Sequence, residues 1–136
     1  MAYEGAFLLV GRILFGILFL YNGYNHFVDL EGRAGYAEYK GLPAASAMVL
    51  LSGAVLVLGS LGIIFGVYPV ISAAGIAVFL ILSSILFHDY WTVDDAEERA
   101  NQFNHFLKNV GLLGGAFVLM AVGTQTWAYA ANIRFF

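Results

Sequence analysis

Three histidines, His26, His88 and His105, are the side chains here best suited to exchange a proton or ligate a metal near neutral pH. Each stands in a polar neighbourhood at helical spacing. Asn22, Asn25, His26 and Asp29 follow at i, i+3, i+4 and i+7 and so share one helix face. Ser84, His88 and Trp91 share a second, with Asp89 beside it, and His105, Lys108, Asn109 and Leu112 share a third. Where such faces meet, imidazoles, amides, an ammonium and one or two carboxylates meet with them. Three chemistries suit the set. One is a hydrogen-bonded cap in which Lys108 pairs with Asp89 or Asp29. The second is a headgroup site for a lipid-soluble carrier such as a quinone, where imidazole and ammonium bind a carbonyl oxygen and a His–Asp pair relays the proton. The third is a transition-metal or haem site, since imidazoles ligate both, although no HxxxH or HxxE pair on one helix supports it. The candidate binding residues are Asn22, Asn25, His26, His88, Asp89, His105, Lys108 and Asn109; no catalytic residue or metal ligand is assigned.

Composition decides what surrounds these residues. The chain has 136 residues, 61% hydrophobic and 11% charged, and its mean hydropathy is +0.82. A typical soluble domain is about 45–50% apolar and about 25% charged. Six basic and nine acidic side chains cannot clothe a soluble globule of this length, so a water-soluble enzyme is excluded, and a disordered chain with it. The absence of cysteine removes disulfides, thiolate metal sites and dithiol chemistry. A net charge of −3 without any basic cluster argues against nucleic acid as a partner.

Four apolar runs, about residues 5–27, 43–65, 68–88 and 103–125, are separated by polar or turn-like segments. Each is about 30–35 Å long as a helix, which matches a hydrocarbon core of about 30 Å. A spanning segment must satisfy its own backbone, so helices are expected; the strands of a barrel, about ten residues each and alternating, do not fit. The first run has no Lys or Arg before it and no small-residue cleavage site after it, so it is expected to stay as helix one. The expected fold is all-α: an integral membrane antiparallel four-helix bundle, one domain over residues 1–136, multi-pass in the cell membrane. Gly16, Gly23, Gly59, Gly62, Gly111 and Gly115 serve close helix packing in such a bundle.

Four crossings put both chain ends and the Gly66–Pro69 turn on one side, here side A, and segments 29–41 and 89–101 on the other, side B. The first of these mixes Tyr36, Ala37 and Tyr39 with Arg33, Glu38 and Lys40 and reads as a short interfacial amphipathic helix. The second carries Asp94, Asp95, Glu97, Glu98 and Arg99 and belongs in water. All three histidines then fall at side B, and polar groups at membrane depth are expected to point into the bundle. Arg12 stands apart, about 21 Å from His26 along the first helix; it is expected to snorkel to side A, the alternative being that it faces inward against carbonyls or a lipid phosphate.

The chain also resembles a known family. Arg12-Ile-Leu-Phe-Gly-Ile-Leu-Phe-Leu, with Gly23 and His26-Phe27 after it, resembles the first helix of the DoxX family of small four-helix membrane proteins. Gly35-Tyr-Ala-Glu-Tyr-Lys-Gly-Leu-Pro43 resembles its first loop and His88-Asp-Tyr-Trp91 the end of its third helix. His105-Phe-Leu-Lys-Asn-Val-Gly-Leu-Leu-Gly-Gly115 resembles the opening of its fourth. One departure stands out: many relatives carry a Glu in the middle of helix two, where this chain reads Leu51-Ser-Gly-Ala-Val-Leu-Val-Leu58, so no role of that Glu carries over. The resemblance implies a membrane subunit of the sulfur-oxidation type, as in the related thiosulfate:quinone oxidoreductase, or of an oxidative-stress complex. The expected function is therefore an accessory or anchor subunit of a membrane redox or stress-response complex, with quinone as the implied cofactor and a soluble or membrane redox subunit as partner. If catalytic, it would act within a quinone-linked oxidoreductase. The alternative is a non-catalytic structural or lipid- or small-molecule-binding membrane protein, alone or as an oligomer.

Overall fold

The computed structural model describes residues 2–135. Five α-helices form: α1 (Ala2–Val28), α2 (Leu30–Tyr39), α3 (Ala45–Phe65), α4 (Pro69–Phe87) and α5 (Ala96–Val122). A 3₁₀ turn, Tyr90–Thr92, leads from α4 toward α5. The long helices α1, α3, α4 and α5 each have the length and apolarity to cross a bilayer. Several helix boundaries differ from the sequence expectation. The last spanning helix starts at Ala96, not near residue 103, and ends at Val122, not 125. Its charged first turns are helical because the Asp95 carboxylate accepts the Glu98 N–H at 2.8 Å, and Glu97 and Glu98 sit at the positive end of the helix dipole. The first helix likewise begins at Ala2.

Local chemistry explains the other ends. Gly66 adopts the left-handed conformation at φ 70° that closes α3, Val67 N–H returns to Gly62 O at 2.8 Å, and Pro69 occupies the first turn of α4. The interfacial segment is helical as expected: α2 buries Ala34 and Ala37 against Ala45 and Val49, under Leu30, Leu42 and Phe87.

Helix α3 is the hub. It packs on α1, α2 and α4, and α5 packs on α4. Gly23 of α1 allows close approach to α3, since a β-carbon there would stand 2.9 Å from Leu56 Cβ. Such contacts hold membrane helices together where hydrocarbon surrounds them on all sides. One core joins Phe19, Leu56, Ile63, Ile76, Leu80, Leu119 and Trp127. Helices α1 and α5 lack extended backbone packing on each other. They meet through side chains: the Phe15 ring lies over Gly115, where a β-carbon would be 3.3 Å from it.

After α5 the chain folds back beneath the bundle as a strap. Ala131 N–H donates to Phe65 O at 2.8 Å, Ile133 N–H to Gly66 O at 3.1 Å, and Tyr68 N–H to Ile133 O at 2.6 Å. Tyr68 stacks on Phe135 with centroids 4.4 Å apart. Asn132, at φ 56°, takes the Trp127 N–H and returns its amide to Trp127 O and Ala130 O.

Arg12 holds this strap, and the snorkelling expectation is wrong. The side chain is 0% exposed. Its guanidinium donates to Ala128 O at 3.0 Å, Tyr129 O at 2.9 Å and Ile64 O at 3.2 Å, and lies 5.1 Å from the centre of the Trp127 ring. No carboxylate pairs with it among the described residues. A bare helix end and a returning strap offer unpaired carbonyls, and a planar donor fork matches several at once. Arg12→Met is expected to strand three acceptors at about 1–3 kcal/mol each, lowering the melting temperature by roughly 5 °C or more and exposing the segment after Val122 to protease. Arg12→Lys should recover little of either. A strap as protected in Arg12→Met as in the parent protein would refute the clamp.

Candidate functional site

At side B the antiparallel α4 and α5 bring two of the three histidines together. His88 caps the C-terminus of α4, and its ring stacks on His105 of α5 with centroids 5.1 Å apart and planes 17° from parallel. Gln102 orients the pair. Its amide N–H donates to Glu98 Oε1 at 2.7 Å, which leaves its Oε1, 2.9 Å from His88 Nδ1, as an acceptor. His88 therefore carries its proton on Nδ1, and Nε2 of the neutral ring keeps its lone pair. Sequence reading missed Gln102 and Glu98; their signal was the four-residue spacing that puts them on one face just before His105. Deeper in, Asn109 is buried and donates to Ser83 Oγ at 3.2 Å, a bond between α5 and α4.

His26 does not join the other two. It is buried, donates from Nδ1 to its own helix at Asn22 O, 2.8 Å away, and meets the Phe79 ring edge-on at 5.8 Å. Phe79 lies two and a half turns before His88 in α4, about 13 Å along the axis. Asn22 and Asn25 enter through their main chain: Asn25 O accepts the Arg33 Nε–H at 3.1 Å, tying α2 to the end of α1.

The ion pair forms elsewhere than expected. Asp89 pairs with Lys40 at 2.5 Å, not with Lys108, and also accepts the Thr92 hydroxyl at 3.1 Å. The end of α2 delivers Lys40 to the α4 terminus, a contact between segments far apart in sequence. Lys108 is exposed and makes no hydrogen bond or ion pair among the described residues; it stands one turn after His105 on α5. No three His, Cys, Asp or Glu side chains gather as metal ligands among the described residues. Stacked imidazoles also turn faces, not nitrogens, toward the space between them, unlike ligands facing across a haem.

The fold and this wet end define a small helical membrane protein, multi-pass in the cell membrane. The DoxX family profile matches residues 7–89. Inner membrane protein YqjF of Escherichia coli (strain K12) is 32% identical over 131 residues, covering 95% of this chain and 92% of that protein. No solved structure matches the chain. The chain belongs to the DoxX family. The family match ends at Asp89, so α5, with His105, Lys108 and Asn109, lies outside it.

The two lysines now have distinct roles open to measurement. Lys40→Ala should lower stability by about 1 kcal/mol, the upper range for a partly exposed pair, while Lys108→Ala should leave it within about 0.5 kcal/mol. Equal losses in thermal melts would contradict the pairing.

Proposed function

We propose that the protein is an accessory or anchor subunit of a membrane redox or stress-response complex, and that side B holds the headgroup of a quinone or a comparable lipid-soluble carrier. One observation carries this reading: Lys108, one turn after His105 on α5, has no acid of its own among the described residues, while Asp89 pairs with Lys40. The bonds that seal this end, Lys40–Asp89 and Asn109–Ser83, do not need it. An ammonium near the membrane interface requires an acceptor, and a quinone carbonyl oxygen is one. Reduction of a quinone to a quinol takes up two electrons and two protons. Lys108 and His105 would donate hydrogen bonds to the oxygen that gains charge, and the lone pair on His88 Nε2 would accept the hydroxyl of the quinol. The electrons would come from a redox partner subunit and the two protons from water at the side-B interface.

Quinone extracted from protein purified in mild detergent tests the reading. Lys108→Met and His105→Ala should each retain about tenfold less than the parent protein, as loss of a charge-assisted hydrogen bond implies, with melting temperatures unchanged. Full quinone content in both variants would overturn it.

A further inference from the structure

Gly16 and Gly23 lie seven residues apart, nearly two turns, and so share one seam of α1. Along it α1 closes on α3: a β-carbon at Gly16 would stand 3.3 Å from Ser60 O, and one at Gly23 2.9 Å from Val57 Cγ2. Beside the seam, on the outer surface of the bundle, runs a groove of ≈ 490 Å³, within the range of about 300–1,000 Å³ typical of ligand sites. Ile17, Leu20, Tyr21, Tyr24 and Phe27 of α1 line it together with Val57 of α3. Leu20 and Val57 are half-buried, while Ile17, Tyr21, Tyr24 and Phe27 are exposed and form its rim. The 27 residues of α1 measure about 40 Å, the thickness of a bilayer with its headgroup zones. Ile17 then lies near the bilayer middle and Phe27 at the side-B interface. The groove follows the helix for about 15 Å, the depth of one leaflet of hydrocarbon, and in the direction a lipid tail takes.

We infer that this groove binds an acyl chain of a phospholipid from the side-B leaflet, with the Tyr24 hydroxyl donating to the ester carbonyl at the head of that chain. Two observations select this occupant over a protein segment. The lining contains no glycine, alanine or serine. Membrane helices approach one another over small residues, so a wall of bulky side chains keeps a second backbone away and suits a thin, flexible chain. The second observation is polar. Neither the Tyr21 nor the Tyr24 hydroxyl has a hydrogen-bond partner among the described residues, and a phenol packed in apolar surroundings needs one at its tip. Tyr24 lies about 6 Å below the last residue of α1, where hydrocarbon gives way to headgroups and where the ester carbonyls of a lipid lie. The site is formed by α1 and α3, apart from the histidine pair of α4 and α5, and does not rest on the headgroup reading above.

The test uses the whole protein, reconstituted in phosphatidylcholine nanodiscs, released into mild detergent and weighed by native mass spectrometry. The parent protein should retain phosphatidylcholine. Val57→Trp fills the groove from its floor and Ile17→Trp from its rim, and each should lower retention by about tenfold. Ile17 is exposed, so its replacement leaves the fold intact even where Val57→Trp disturbs helix packing; melting temperatures check both. Tyr24→Phe removes only the hydroxyl and should lower retention about fivefold, the worth of a net hydrogen bond. Leu58→Trp, on the exposed face of α3 outside the groove, should stay within about twofold of the parent. Loss confined to the groove variants supports the acyl-chain site. No retained lipid in the parent, or retention at the parent level in Ile17→Trp or Tyr24→Phe, overturns it. A dimer mass that disappears in Ile17→Trp would show a second copy in the groove, and displacement of the phospholipid by an equal amount of decyl-benzoquinone would show a carrier tail there; either result also overturns it.

Discussion

A buried charge with no carboxylate beside it among the described residues organises this molecule. The two terminal nitrogens of the Arg12 guanidinium donate to main-chain oxygens from two places, the end of α3 and the strap that follows α5, while the buried Nε has no hydrogen-bond partner. Those oxygens are left over where a helix stops, and in hydrocarbon each needs a donor. The same side chain thus finds acceptors for its terminal nitrogens and supplies donors to the irregular backbone at side A. Its stacking on Trp127 draws the strap into the core that also contains Phe19 and Leu119. In this way α1 is tied to the tail of α5, although the two helices scarcely touch elsewhere.

Side B is held by a different device. Here α2, too short and polar to cross, lies against α3 and reaches across the end of the bundle. Arg33 grips the last turn of α1 and Lys40 grips Asp89 at the end of α4. The consequence is chemical as well as mechanical. Asp89 is thereby paired with Lys40, and Lys108, one turn after His105, has no ion pair among the described residues.

Much of the architecture was legible in one dimension. Four runs of spanning length, the paucity of charge, Gly66 and Pro69 at the tight turn, and the mixed segment that became α2 follow from hydropathy and backbone rules, which act locally. The antiparallel alternation that places the three histidines at side B follows from counting crossings. The helical start of α5 was missed because charge was read as loop, when Asp95 and two glutamates are also what a helix N-terminus prefers.

Pairing was not legible. Composition and spacing put Asn22, His26, His88, Asp89, His105 and Lys108 near one end of the bundle, but which of them meet depends on how far each helix is rotated and how the loops return. His88 and His105 stack because α4 and α5 are joined by one short connection; His26 falls to Phe79 because α1 packs on α3 instead. Lys40, not Lys108, reaches Asp89 because α2 crosses the bundle end. Arg12 turns inward because a strap more than a hundred residues away supplies the carbonyls it needs. By itself the sequence determined that the chain spans the membrane four times and where its polar residues lie in depth, since burial in hydrocarbon is decided residue by residue. Only the tertiary structure decided their partners, because hydrogen bonds and ion pairs require angles and distances that no single helix contains.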